Sequence, residues 1–336
     1  MTKIAVFGAG TWGIALARLL AVHGKDVTVW SAIPAELKAL STTHRHPNLP
    51  GMELPATMHY TADIAEACAG RDVLLFAVPS PFVRATAKKA APHIPDGQLI
   101  VDVAKGVEDK TLMTMSEIIE DELAKAGRKA RVVALSGPTH AEEVICRKPS
   151  AAVVASADEG TALFFRDLFA TRFFRTYTSD DPVGVELCAA FKNVVAIAVG
   201  MSYGLGFGDN TAALLVSRGL AEMSRLVVAC GGNAITCMGL AGTGDMVATC
   251  MSHHSRNRAF GEMLAAGKTL DDFTAETHMV AEGANACRNV KVLADRYGVD
   301  LPIADAVRSV VWEGADPKSL ARDLTSRSLK PEFYGI

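Results

Sequence analysis

Short apolar runs recur through the first half of the chain, at 3–7, 26–30, 72–78, 99–103, 131–135 and 151–155. Each reads as a strand, and helical periodicity fills most of the intervals between them. That alternation predicts a parallel, doubly wound α/β sheet. The segment 43–61 is rich in Pro, Gly and His and reads as an irregular surface excursion. Beyond about 181 the strand signals stop. The runs 186–200, 211–230, 256–266, 283–297 and 303–313 carry the helical period instead, so the second half is expected to be all-α. The change falls at Asp180-Asp181-Pro182, where proline can open a helix. The expected domains are therefore 1–181 and 182–336, with no internal repeat and no low-complexity linker.

The longest apolar stretch, 183–207, is interrupted by Glu186, Lys192 and Asn193 and ends among glycines. A buried helix fits that pattern better than a membrane span. The N-terminal apolar run is too short for the core of a signal peptide.

Composition narrows the function. A length of 336 residues suits about two domains. The 34 basic and 37 acidic residues give a net charge of −3, which supplies no general field for a nucleic-acid backbone. An anionic small ligand would need a few locally placed cations. Seven cysteines without a CxxC pair fit a reducing compartment, and a cytoplasmic location is the expectation.

The first strand runs into Gly8-Ala9-Gly10-Thr11-Trp12-Gly13, and a helical run follows at 14–22. The glycines allow a tight turn and close backbone approach, and the helix N-terminus offers N–H groups to a pyrophosphate. Between a strand and a helix, this GxGxxG points to a Rossmann-type site for NAD or NADP rather than to a plain glycine-rich turn. The acidic residue expected about 20 positions further on is missing, since the second strand ends Val29-Trp30-Ser31-Ala32. No arginine stands there for a 2′-phosphate, and Lys38 and Arg45 read as solvated surface charges.

Other strand ends carry candidate chemistry, because open α/β sheets bind ligands beyond the carboxyl ends of their strands. Ala77-Val78-Pro79-Ser80 would flank the nicotinamide side of a cofactor, with a simple proline turn as the competing reading. Val103-Ala104-Lys105-Gly106 places an ammonium at this edge. Ser136-Gly137-Pro138-Thr139-His140-Ala141-Glu142-Glu143 offers small residues beside a ligand and a hydroxyl donor on Thr139. Thr139 also suits a helix N-cap with Glu142 as its capping-box partner.

In the helical half, Lys192 and Asn193 sit among Leu187, Ala189, Ala190, Phe191, Val194, Val195 and Ile197. Desolvation there would penalise the ammonium form and favour proton exchange near neutrality. A snorkelling lysine paired with Glu186 or another acid is the alternative. Further on, glycines between 239 and 244 bend the chain before a short helix carrying Asp245 and Thr249 four residues apart, on one face. Ser255-Arg256-Asn257-Arg258 then opens another helix, whose N–H groups and guanidinium could clamp a phosphate. For Ser255 and Arg258 a capped surface helix competes with that reading. His253 and His254 are adjacent and point apart on a helix, and no metal-ligand spacing occurs elsewhere, so no metal is expected.

Together these motifs resemble the NAD(P)-dependent sn-glycerol-3-phosphate dehydrogenases of the bacterial biosynthetic type. The resemblance covers nearly the whole chain, through GAGTWGIALA, AVPS, Lys105-Gly106, SGPTHAEE, ELCAAFKNVVAIAVG, GLAGTGDMVATC, SRNRAFG and MVAEG. It implies reversible reduction of dihydroxyacetone phosphate to sn-glycerol 3-phosphate for glycerophospholipid synthesis, and a homodimer. It implies that Lys192 is the proton donor and acceptor, and that Lys105, Gly137, Thr139, Asp245, Ser255, Arg256 and Asn257 surround the substrate. Arg256 and Asn257 would take the phosphate. Cofactor contacts map onto Thr11, Trp12, Lys105, Ala141, Arg256, Val280 and Glu282, beside Gly8, Gly10 and Gly13. The chain departs from the family at Ala32, where an arginine is common. It departs again at His46-Pro47-Asn48-Leu49-Pro50-Gly51, which resembles an NPxYLPG stretch without its tyrosine. A hydroxy-acid dehydrogenase of similar layout would also use a helix lysine but lacks the SRNR block, and a non-catalytic NAD(H) sensor would have no use for Lys192 with Asp245.

Overall fold

A computed structural model describes residues 1–49, 51–277, 281–332 and 334–335. The chain forms two compact units. One comprises Met1–Lys105 and Met113–Pro182, and the other Gly106–Leu112 and Val183–Ile336.

The first unit is built on one eight-stranded sheet. Its strands are β1 (Lys3–Phe7), β2 (Asp26–Trp30), β3 (His59–Thr61), β4 (Val73–Phe76), β5 (Gln98–Asp102), β6 (Ala130–Ser136), β7 (Ser150–Ala155) and β8 (Phe174–Ser179). The spatial order is β3-β2-β1-β4-β5-β6-β7-β8, and every pair is parallel except β6 with β7. Successive side chains of a strand point to opposite faces, so a strand covered on both sides must be apolar throughout. Along β1, Ile4 and Val6 enter one core while Ala5 and Phe7 enter the other. On β4, Val73 and Leu75 divide from Leu74 and Phe76 in the same way. The register sets Phe7 beside both Trp30 and Phe76, and its ring meets theirs edge-on at centroid distances of 5.8 and 4.9 Å. From β1 the chain winds outward to β2 and β3, then returns to place β4 on the other side of β1. This reversal is the topological switch point at which such sheets bind ligands.

Two strands lie outside the sequence reading. The excursion at 43–61 ends in β3, which pairs with β2 through Thr28–His59, Val29–Tyr60 and Trp30–Thr61. Three residues that include a histidine and a threonine carry no apolar run. The edge strand β8 exposes Arg175 and Tyr177, so its hydrophobic signal is halved.

The second unit is helical. Its central helix, Pro182–Gly204, is 23 residues long and apolar enough to cross a membrane by length and composition, yet 94% of its most apolar window is buried within the protein. Helices Asp209–Ala229, Arg256–Ala265, Glu282–Tyr297 and Pro302–Glu313 occupy the expected places, and Leu270–Thr277 and Pro317–Ser326 add to them. Glycines set how closely these helices approach. A Cβ on Gly200 would stand 2.0 Å from the Arg258 carbonyl oxygen, and one on Gly261 2.2 Å from that of Ile197. The segment Gly106–Leu112 is tied to this unit by Asn289, whose Nδ2 donates to the Val107 carbonyl at 2.7 Å and to Asp109 Oδ1 at 2.8 Å.

Candidate active site

In the first unit the parallel register lines up the ends of β2, β1, β4, β5 and β6 along one edge. The three motif glycines at the end of β1 do different work. Gly8 has φ +119°, and a Cβ there would lie 2.7 Å from the Ala77 carbonyl oxygen, so the turn and the tight approach of the Ala77-Val78-Pro79-Ser80 segment both exclude a side chain. Gly13 lies against Gly8, with 2.4 Å from its ideal Cβ to the Gly8 oxygen. Gly10 meets nothing within 4 Å and leaves open space above the loop. Helix Thr11–Val22 begins here with no side-chain cap and no acid in its first turn. Its leading N–H groups and dipole thus face that space uncompensated, which fits the pyrophosphate of a dinucleotide. Thr11 is its first residue, and Trp12 is half-buried against the adjoining core.

Two strands along, Lys105 Nζ donates to the Gly137 carbonyl at 3.4 Å, and Thr139 Oγ1 donates to the same oxygen at 3.2 Å. Gly137 adopts φ +148° with a Cβ position 2.8 Å from the Ala151 carbonyl oxygen, so only glycine fits. Lys105, Gly137 and Thr139 therefore form one polar group on the carboxyl edge, with Ala141 buried just behind it. The capping-box reading of Thr139 does not hold. The helix is Ala141–Ile145, its N-cap is His140 without a side-chain bond, and Thr139 is engaged with Gly137 instead.

In the second unit Lys192 is 5% exposed and Asp245 2%. The Lys192 ammonium makes an ion pair with Asp245 Oδ1 and a 2.8 Å hydrogen bond to Thr249 Oγ1, which itself donates to Asp245 Oδ1 at 3.3 Å. The lysine thus meets an acid, Asp245, on another helix. Desolvation disfavours the ammonium and the carboxylate restores it, so the two influences oppose each other. Asp245 is delivered by a π-helical turn, Leu240–Gly244, in which the Gly244 N–H reaches the Gly239 carbonyl. A Cβ on Gly242 would stand 2.0 Å from the Cys237 oxygen. Such turns are concentrated at functional sites. Burial pushes the neighbouring Cys250 thiol up to about 12, which keeps it protonated.

Asn193, next along the helix, accepts from Asn257 Nδ2 at 2.9 Å, and Asn257 Oδ1 accepts from the Gly283 N–H at 2.9 Å. That chain of bonds joins the starts of helices Arg256–Ala265 and Glu282–Tyr297 to the lysine helix, with Glu282 beside it. Ser255 caps the first of these by accepting from the Arg258 N–H at 3.2 Å. Arg258 is committed to Glu262 at 3.0 Å, to the Met251 carbonyl and to the Tyr203 ring. Arg256 is exposed and has no side-chain partner among the described residues. Its guanidinium stands in solvent at the first position of this helix. Val280 lies outside the described residues.

Sequence reasoning missed the carboxylate near the end of β2. Ser31 Oγ donates to Glu36 Oε2 at 2.9 Å, so an acid does reach this strand, from five residues beyond it. It also missed His46, buried with its ring hydrogen-bonded to the Ala9 backbone and close enough to feel the charge of Glu36.

Comparison with known proteins follows the same division. The family model described as NAD-dependent glycerol-3-phosphate dehydrogenase N-terminus matches residues 3–162, and that for the C-terminus matches 181–322. A glycerol-3-phosphate dehydrogenase (NAD(P)+) 2 from Lactobacillus delbrueckii subsp. bulgaricus is 50% identical over 335 residues, covering 99% of both chains. One from Streptomyces griseus is 46% identical over 331 residues and 98% of both. The crystal structure of glycerol-3-phosphate dehydrogenase from Coxiella burnetii superposes with TM-score 0.92 at 33% identity, over 97% of this chain and 99% of that one.

Proposed function

The chain belongs to the NAD-dependent glycerol-3-phosphate dehydrogenase family, and from that membership we propose how its residues divide the work of reducing dihydroxyacetone phosphate to sn-glycerol 3-phosphate. When bound, NAD(P)H supplies the hydride that goes to the substrate's C2 carbonyl. Gly8, Gly10, Gly13 and the leading amides at Thr11 and Trp12 hold the dinucleotide, with Ala141, Arg256, Val280 and Glu282 as further contacts. Lys192 gives a proton to the developing alkoxide and takes it back in the reverse direction. Asp245 and Thr249 orient its ammonium, and Asn193 and Lys105 add electrostatic support to the reacting oxygen. Gly137 and Thr139 line the substrate. Arg256 and Asn257, at a helix N-terminus capped by Ser255, hold its phosphate, so that binding energy far from the carbonyl orients it.

The observation that carries this reading is the buried Lys192–Asp245–Thr249 cluster. A lysine taken out of solvent and locked to two partners is costly unless its position is used. The test is the loss of reduced-nicotinamide absorbance with dihydroxyacetone phosphate, using NADH and NADPH in turn. No oxidation of either would sink the assignment.

We further propose a homodimer in the cytoplasm. The helical unit exposes Ile235 and Met238 at 64% and 74%, an apolar surface suited to a second copy, and all seven cysteines are thiols, which suits a reducing compartment. Sedimentation of the purified chain as a monomer would remove the first proposal.

A further inference from the structure

The end of β2 carries a device that the dehydrogenase chemistry leaves unused. Ser31 is buried at the tip of the strand, and its Oγ accepts from the Ile33 N–H at 3.1 Å while donating to Glu36 Oε2 at 2.9 Å. The hydroxyl thereby fixes an exposed carboxylate, in the first turn of the helix Pro34–Thr43, at the end of β2, where the Gly8 N–H donates to the Trp30 carbonyl at 2.9 Å. Glu36 Oε1 has no partner among the described residues and remains available to accept a hydrogen bond. From the other side, His46 is hydrogen-bonded to the Ala9 backbone and lies within electrostatic reach of Glu36. Burial pulls the His46 pKa down, and it is only partly restored by the Ala9 bond and the charge of Glu36. At neutral pH the imidazole is therefore uncharged and offers no cation.

The nearby cations are directed elsewhere. Arg45 is paired with Glu53 at 2.9 Å, and Arg18 donates to the carbonyls of Glu53 and Ile145. Lys38 is two residues from Glu36 on the helix Pro34–Thr43, and positions two apart do not share a face. At this strand end a fixed carboxylate accepts a hydrogen bond from a ribose hydroxyl and repels a phosphate dianion.

We propose that Glu36, presented by Ser31, makes this enzyme select NAD(H) over NADP(H). The proposal rests on the reading that the dinucleotide binds at the Gly8–Gly13 loop. An internal control is built into the fold. Thr61, at the end of β3, repeats the arrangement, accepting from the Asp63 N–H at 3.1 Å and donating to Glu66 at 2.5 Å. Serine or threonine with a glutamate five residues on is thus a local strand-to-helix connector in its own right. What sets Glu36 apart is that the residue presenting it, Ser31, follows directly on β2, the strand that pairs with β1 and its glycine loop.

The experiment is calorimetric titration of the full chain with NADH and with NADPH, without substrate. NADH should bind at least about tenfold more tightly at low salt, and the ratio should shrink as ionic strength screens the repulsion. Glu36→Gln should narrow the ratio by tightening NADPH and weakening NADH, Glu36→Arg should reverse it, and Glu66→Gln should leave it unchanged. The proposal is overturned if the native chain binds both nucleotides equally or prefers NADPH, or if Glu36→Gln moves both affinities together as a merely structural residue would. Failure of both nucleotides to bind would overturn the loop reading as well, whereas tight but equal binding would remove the selectivity alone.

Discussion

Lys192 and Arg256 are the two cations of the helical unit assigned to the substrate, and their settings differ in a way that kinetics can read. Lys192 is buried and held by Asp245 and Thr249, so its carbon stem contributes little to capturing substrate from solution. Arg256 is exposed at a helix start, without a side-chain partner among the described residues. Lys192→Ala is expected to lower kcat by about 10²- to 10⁴-fold, the usual worth of a positioned proton donor, and to change KM little. Near-native turnover in that variant would remove Lys192 from the chemistry. Arg256→Ala should do the reverse, raising KM for dihydroxyacetone phosphate about 10-fold or more while largely sparing kcat, because a charge-assisted phosphate contact acts in the ground state too. An unchanged KM would free the phosphate clamp from Arg256. The sequence made Lys192 legible as a charge inside an apolar helix, and the four-residue spacing put Asp245 and Thr249 on one face. That Asp245 meets Lys192 was not legible, since the pair is 53 positions apart and only the packed helices bring it together.

At the scale of elements, the strands buried on both faces were readable because both faces demand apolar residues, and β1 and β2 fall where the pattern puts them. The short β3 and the half-exposed β8 escape that logic, since each is recruited by a neighbouring strand rather than by its own pattern. The helix crossing at Gly200 and Gly261 depends on backbone contact that no periodicity reports. Gly200→Ala should destabilise the helical unit by about 1–3 kcal/mol, because the new methyl group meets a carbonyl oxygen rather than a yielding side chain. Chemical denaturation checks this, and a native midpoint would show that the helices can part freely.

A second element test concerns Glu222, buried on helix Asp209–Ala229. Its carboxyl accepts the Ile303 and Ala304 N–H groups at the start of helix Pro302–Glu313, at 2.8 and 3.2 Å. Burial raises its pKa from 4.5 to about 7, against the pull of those two amides and of Arg225. The folded state therefore holds this proton more tightly than the unfolded state. The contribution is complete below about pH 4.5, falls as pH rises, and is lost above about pH 7. It amounts to on the order of 3 kcal/mol. Glu222→Gln, which cannot ionise, should lose less stability than the native chain between about pH 5 and pH 8. Parallel melting curves across that range would refute the raised pKa.

Over the whole molecule, the division between the units is not the single cut suggested by Asp180-Asp181-Pro182. The chain passes from one unit to the other after Lys105, after Leu112 and after Pro182. The intervening segment Gly106–Leu112 carries no apolar periodicity of its own, and it is bonded to the helical unit by Asn289, 182 positions away from Val107. Asn289 is buried, and its Nδ2 is shared between the Val107 carbonyl and Asp109, while Arg288 Nη2 reaches Asp109 from outside at 3.1 Å. The exposed ion pair is worth little by itself, so the buried amide should provide most of the hold. Asn289→Ala leaves the Val107 carbonyl without this donor and should cost about 1–3 kcal/mol. The loss should be local first, because one short segment depends on the bond. Lys110 lies in that segment and is exposed, so trypsin can report its release. Cleavage after Lys110 should become markedly faster in Asn289→Ala than in the native chain, at a temperature where the sheet and the helices remain folded by circular dichroism. Arg288→Ala should accelerate it much less. Equal cleavage rates in native and Asn289→Ala chains would mean that the segment is held to the helical unit by contacts other than this amide.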